Sequence, residues 1–194
     1  MARNNISDFA GKFLKGGIRP SLFEVQGNFP FFGQDASAPF LIKAAQLPAS
    51  TLGTIEVPYR GRKIKVPGDR TFAEWQITVL ADGDFQLRDK FEAWMQSINA
   101  HEANTSLEEP APLQDGTVYQ DWQVYQLDRQ GNKIKSYNFI GCWPSEVGAI
   151  DVNHETTDSL AEFTVTMQYT YWSSNTTDGD GTILGAISGI VGQV

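Results

Sequence analysis

The sequence predicts a mainly β fold: a β-barrel or tightly packed sandwich with one flanking α-helix over about residues 84–98. Three observations predict it. Apolar residues alternate with polar ones in several separate stretches, the period-2 signature of strands with one buried face. Only one stretch shows convincing helical spacing: Leu87, Phe91, Trp94, Met95 and Ile98 recur on one side, with Gln86, Arg88, Lys90, Glu92 and Gln96 on the other. No second helix of comparable quality exists for that apolar stripe to pair with, so the helix is expected to cap a sheet.

The elements follow in chain order. Residues 1–20 form an N-terminal arm with a short helix, capped by Ser7 or Asp8, packing through Phe9, Phe13 and Leu14, and ended by Lys15-Gly16-Gly17. Leu22, Phe23 and Val25 read as the first strand, and Gly27-Asn28 as a turn. Phe29, Phe31 and Phe32 follow around Pro30, either filling the core of a hairpin or forming an apolar loop that docks on a neighbour. Phe40 to Gln46 is a second strand, halted by Leu47-Pro48.

Residues 48–59 are long and mildly apolar for a passive tether. Leu52, Ile55, Val57 and Tyr59 alternate there as in an extended arm or an edge strand of the same barrel. Arg60 to Val66 is basic and alternating, with Ile64 and Val66 on one face, and Pro67-Gly68-Asp69-Arg70 makes a turn into the next strand. In that strand Trp75, Ile77 and Val79 alternate with Gln76 and Thr78; Asp82-Gly83-Asp84 breaks the pattern, and Asp84 is the expected N-cap of the helix.

Asn99 to Gly116 is polar and punctuated by Pro110 and Pro112, hence an exposed loop. Thr117 to Leu127 is a long strand, with Val118, Trp122 and Val124 facing one way and Tyr119, Tyr125 and Leu127 the other. Asp128 to Asn132 is a hairpin turn with Gly131 where positive φ is needed, and Ile134 to Trp143 returns as its partner. Trp143 to Gly148 reads as a sharp turn, and Ala149 to Val152 as a short strand. Leu160 to Trp172 is the last strand; Phe163, Val165, Met167, Tyr169 and Tyr171 share one face. Glu162, Thr164, Thr166, Gln168 and Thr170 make the other, a hydrated, almost uncharged face suited to pairing edges or lining a wet channel. The whole is one domain over residues 1–172, followed by a flexible Gly-rich C-terminal tail, 173–194.

Bulk composition narrows the function. With 41% hydrophobic and 20% charged residues, the chain has the make-up of an ordinary soluble globular protein. No apolar run approaches the ~20 residues that cross a bilayer, and Met1 to Asn5 lacks the apolar core of a signal peptide. The formal net charge of −8 is unevenly distributed. Through Arg70 there are ten Lys and Arg against five Asp and Glu, a balance of +5; from Thr71 onward it is five against eighteen, −13. An acidic chain is a poor general nucleic-acid binder, because affinity comes from neutralising phosphates.

Nothing in the sequence converges on catalysis. His101 and His154 are far apart, each in a polar segment with no companion at ligand spacing. Cys142, the single cysteine, rules out an intrachain disulfide, suits a reducing cytoplasm, and has no neighbouring base to make it a nucleophile. Asp178-Gly179-Asp180-Gly181-Thr182 looks like the start of a calcium loop but lacks the D-x-D-x-D-G spacing, and its twelfth position is Gly189, not glutamate. No cofactor and no metal are expected, and no enzyme activity.

The ordered set Ala45-Gln46-Leu47-Pro48-Ala49, Arg62-Lys63-Ile64-Lys65-Val66, Gly68-Asp69-Arg70-Thr71-Phe72 with Trp75, Gly141 to Gly148, and Phe163-Thr164-Val165-Thr166 with Tyr171-Trp172 resembles the tail tube family of T4-like contractile-tailed bacteriophages. The resemblance spans most of Ser21 to Trp172; the N-terminal arm, the Asn99–Thr117 connection and the tail depart from it. It implies a structural protein that assembles into stacked six-fold rings, with its sheet extended between subunits, to make the hollow tube through which phage DNA is delivered. It further implies a virion tail assembled in the host bacterial cytoplasm, with tail sheath, baseplate and tape-measure proteins as partners. DNA passes the lumen without specific binding. The 48–59 segment becomes an inter-subunit loop, and the interface candidates are Leu52, Ile55, Val57, Tyr59, Arg60, Arg62, Lys63, Asp69 and Arg70. Two rival readings are the tube protein of a contractile secretion or injection system, and a monomeric carbohydrate-binding sandwich using Trp122, Trp143 or Trp172.

Overall fold

The stretch Trp75–Leu80 forms a strand because its alternation lets Trp75, Ile77 and Val79 go to zero or near-zero exposure while Gln76 stays in water. It lies within a computed structural model that describes residues 17–34, 38–106, 118–155 and 159–175, together with 6, 11 and 157. The expected N-terminal helix, the part of the loop over 107–117, the calcium-like run and the tail from 176 lie outside the described residues.

Eleven strands and two helices are described: β1 Phe23–Gln26, β2 Asn28–Phe29, β3 Gly33–Gln34, α1 Ala38–Leu41, β4 Ile42–Ala45, β5 Ser50–Tyr59, β6 Arg62–Phe72, β7 Trp75–Leu80, α2 Gln86–Ile98, β8 Gln120–Leu127, β9 Lys133–Val147, β10 Glu162–Gln168 and β11 Tyr171–Ser174. Seven strands make one antiparallel sheet in the order β1-β8-β9-β10-β7-β4, with β11 also on β9. β1 and β4 do not pair with each other, so the sheet bends around its core without closing. The fold is mainly β, as expected, and of the two forms predicted it takes the open, sandwich-like one.

The bend is made by β9, whose first half pairs with β8 and β11 and whose second half pairs with β10. Gly141, at φ +68, turns the strand where a side chain is disfavoured, and its N–H donates to the Asp121 carboxylate at 2.9 Å. The expected turn at Trp143 to Gly148 is instead strand through Val147. Pro144 is tolerated because it sits where the ladder to β10 already shifts register, in the half of β9 with no partner on its other side among the described residues. Gly148 then passes so close to Thr164 that a Cβ would lie 2.7 Å from Thr164 Oγ1.

The halves of the sheet share one core. Trp75 stacks on Phe139 at 4.3 Å between centroids and meets Trp122 edge-on at 5.9 Å. Phe29 stands edge-on to Phe91, Trp94 and Trp122, which seats α2 on the sheet as predicted. Each fully buried indole gives its N–H to a carbonyl of another segment: Trp75 to Gln46 at 2.8 Å, Trp94 to Val118 at 2.6 Å, Trp122 to Asn28 at 2.9 Å. Arg88 lies over the Phe163 ring, bridges to Glu92 at 2.7 Å and donates to the Gly148 carbonyl at 3.1 Å.

Several expectations need correction. The helix cap is Phe85, not Asp84. Phe85 has left-handed backbone (φ 53) and no side-chain cap bond. On α2, Ser97 is buried where Met95 was expected to be; its hydroxyl is satisfied by the Trp94 carbonyl at 2.7 Å. Phe40 to Gln46 is the single turn α1 followed by β4, leaving Phe40 exposed. The aromatic trio divides: Phe29 plugs the core, while Phe31 and Phe32 project into solvent. Ala149 to Val152 has no regular structure. The last strand is interrupted at Tyr169-Thr170, where the Thr170 N–H donates to Ile140, so β10 and β11 pair with different stretches of β9. β11 continues to Ser174, two residues past the expected end. No helix among the described residues is long and apolar enough to cross a membrane.

Candidate functional site

β5 and β6 run for 10 and 11 residues as a two-stranded hairpin that joins no other strand among the described residues. At ~3.3 Å per residue such a ribbon reaches about 30 Å. Every residue of β5 is exposed, and in β6 only Gly68 and Phe72 are even half-buried. The edge-strand alternative for residues 48–59 therefore does not hold: the segment is one arm of a free-standing ribbon.

The turn at its tip has two residues, Arg60 at φ 45 and Gly61 at φ 83, both in the left-handed region that a tight hairpin requires. Glycine reaches that region freely, whereas Arg60 holds it against a steric cost; its guanidinium lies 5.4 Å from the Tyr59 ring centre. Lower down, Gly53 opposes Gly68 and Asp69 in a bulge. A Cβ on Gly68 would come within 3.2 Å of Gly53 backbone carbon, so the close crossing suits glycine on both strands. Pro67-Gly68-Asp69-Arg70, expected as a turn, is thus the bulged interior of β6.

Register divides the outer ribbon into two faces. Ile55 pairs with Val66, Val57 with Ile64, and Tyr59 with Arg62, which places these six on one side. Thr54, Glu56 and Pro58 pair with Pro67, Lys65 and Lys63 on the other, where Lys63 and Glu56 form an ion pair at 2.7 Å. Leu52 is opposite Arg70, and Arg70 donates to the Ser50 hydroxyl at 3.1 Å. All nine interface candidates, Leu52, Ile55, Val57, Tyr59, Arg60, Arg62, Lys63, Asp69 and Arg70, lie on this hairpin, and all are exposed. The candidate set omitted Ile64 and Val66, which complete the apolar face; their alternation with Lys63 and Lys65 was the available signal. From 50 to 72 the ribbon carries five Lys and Arg against two acids, +3, in a chain of net −8.

The other chemistry-bearing residues do not converge. Cys142 is fully buried, and burial pushes its thiol far above the usual range, followed by the Asp121 charge in the same direction. His101 and His154 are exposed, and no group of three His, Cys, Asp or Glu able to hold a metal occurs among the described residues. Trp122 is at 0% exposure, and Trp143 and Trp172 are half-buried, which removes the row of open indoles a sugar would stack on.

A family model described as phage tail tube protein matches residues 12–175. The chain belongs to the phage tail tube family. It is 33% identical to the tail tube protein gp19 of Enterobacteria phage T4 over 170 residues, 86% of this chain and 98% of that one. The tail tube protein of Serratia phage KSP90 is 29% identical over 173 residues, covering 84% of this chain and 93% of its own. Among solved structures, a chain of the sheath/tube terminator of the extracellular contractile injection system PVC superposes with a TM-score of 0.60 at 16% identity, over 84% of this chain and 99% of that one. A chain of the anti-feeding prophage baseplate gives 0.58 at 9% identity, over 81% and 95%. At such identities these two establish the shared fold. As a tail tube family member, the chain has as its relatives structural proteins of contractile tails.

Proposed function

We propose that copies of this chain close side by side into six-membered rings, that the rings stack into the hollow inner tube of a contractile phage tail, and that DNA is delivered through it. The observation that carries this reading is the uncovered β5–β6 ribbon. Ile55, Val57, Tyr59, Ile64 and Val66 are each 43–60% exposed on one face of a hairpin that joins no other sheet among the described residues. An isolated two-stranded hairpin is marginal in water. A ribbon this long and apolar gains its stability from a neighbour, and the nine candidate residues become the contact set.

The open sheet supports ring closure. Among the described residues β1 and β4 each leave one edge without a strand, and pairing with the next copy removes edges that otherwise invite aggregation. Closure of a ring uses head-to-tail contacts, and repetition along the axis makes a tube. The acidic excess after Thr71 repels phosphate and lets DNA slide without sticking. The role is structural, not catalytic, and needs no cofactor. The domain runs through Ser174, where β11 ends, two residues past the expected limit of 172, with the N-terminal 1–20 acting as an arm and the Gly-rich remainder as a tail. The site of action is the virion tail, assembled in the host cytoplasm alongside sheath, baseplate and tape-measure proteins.

Negative-stain electron microscopy of the purified chain tests this directly. Rings or tubes with a central hole are expected, and a monomer at every concentration overturns the reading. A chain of the PVC sheath-tube complex shares the fold, with a TM-score of 0.55 at 17% identity, so the tube of an injection system is the second reading. The 33% identity to phage T4 gp19 favours the virion.

A further inference from the structure

We infer that the groove between the 149–154 stretch and the start of β10 receives the β5–β6 hairpin of a second copy. This rests on the tube reading and adds to it the surface that the hairpin meets. The groove has a volume of 530 Å³, room for a few side chains of the hairpin's apolar face. Its walls carry Ile150, Val152 and Leu160 interleaved with Asp151, His154 and Glu162. Val152 is 90% exposed and Leu160 74%, so the groove presents apolar side chains that no described residue covers.

Charge selects the occupant. In the sequence of residues 149–162 there is no Lys or Arg, while Asp151, Glu155, Asp158 and Glu162 are acidic. Lys43 is bound to Glu162 at 2.5 Å. The hairpin has the complementary make-up: an apolar face of Ile55, Val57, Ile64 and Val66 that also carries Arg62, with Arg60 at the tip and Lys63 and Lys65 on the opposite face. Apolar groups meeting apolar groups within a rim of opposite charge favour this pairing over two hairpins or two grooves meeting like to like. The groove is also anchored: the Ala81 N–H donates to Ala161 at 2.9 Å, and the Gly148 N–H to Thr164 at 2.7 Å, tying both walls to the central sheet.

Thiol cross-linking tests it. Ile64→Cys and Val152→Cys are prepared as separate full-length variants, mixed, assembled, and treated with a short bis-maleimide; Cys142 is buried and gives no background in the folded chain. Covalent dimers are expected from the mixture within tubes and not from either variant alone. A second variant, Asp151→Lys with Glu155→Lys, is expected to raise the assembly threshold at least tenfold, and adding Arg62→Glu with Lys65→Glu is expected to recover part of it. Tubes that form without the mixed cross-link, or that tolerate the charge reversal, overturn this inference and leave the tube reading standing; a sheath-like partner in the groove gives that result. Absence of tubes from the unsubstituted chain overturns both.

Discussion

Gly27 separates β1 from β2, and the indole of Trp122 lies directly against it. A Cβ there would sit 2.6 Å from Trp122 Cη2 and 2.7 Å from Cζ2, closer than real carbon contacts allow. Trp122 has nowhere to retreat, being packed on Phe29, Trp75, Phe91 and Trp94 and held by the Asn28 carbonyl. Gly27→Ala is therefore expected to destabilise the fold by about 1–3 kcal/mol, measured by urea unfolding. Gly83→Ala is the control: nothing lies within 4 Å of a Cβ there, and stiffening the unfolded chain gives a neutral change or a gain of about 0.4–1 kcal/mol. Equal losses at the two positions would contradict the contact. Period-2 and helical spacing placed Trp75, Trp94, Phe91 and Trp122 on inward faces without a structure. The glycine under Trp122 was not legible, because the contact joins positions 95 residues apart and local pattern carries no information about which strands meet.

Among the elements, legibility followed how much of each segment's burial is set locally. β7 and α2 each bury one continuous stripe, so their periodicity named them and their inner residues apart from Ser97. β9 was cut short at Pro144 because proline ordinarily breaks a ladder, and only the open edge and register shift beside it make proline harmless. The hairpin was half legible: alternation in β5 and at Ile64 and Val66 was plain, but Pro67-Gly68 masked the continuity of β6. The register that sets Val57 beside Ile64 gives a clean test of what the ribbon does. Val57→Lys with Ile64→Lys alters two exposed positions remote from the core, so the body's unfolding free energy is expected to change by about 1 kcal/mol or less. Assembly, followed by sedimentation and microscopy, is expected to be lost. A fall in core stability comparable to Gly27→Ala would mean that the ribbon serves its own subunit instead.

At the scale of the whole molecule, the distribution of charge matters more than its sum. Removing residues 50–72 from the count leaves the rest of the chain at −11, while the ribbon alone is +3. A tube of identical subunits concentrates that acidic excess, and the repulsion opposes assembly unless each basic ribbon is laid against an acidic neighbour. On the tube reading the ribbon would do two things at once: bury apolar surface that screening leaves intact, and offset like-charge repulsion by contacts that screening weakens. The two contributions separate with sodium chloride, because the Debye length falls from roughly 10 Å at 0.1 M to about 3 Å at 1 M. The assembly threshold of the unsubstituted chain is expected to rise over that range if ribbon-to-body attraction outweighs body-to-body repulsion. Arg62→Gln with Lys65→Gln removes two of the ribbon's five cations and is expected to start with a higher threshold that salt lowers, since repulsion is then the larger screened term. Light scattering at fixed protein concentration distinguishes these slopes, and parallel curves for the two proteins would show that the ribbon's charge takes no part in holding the copies together.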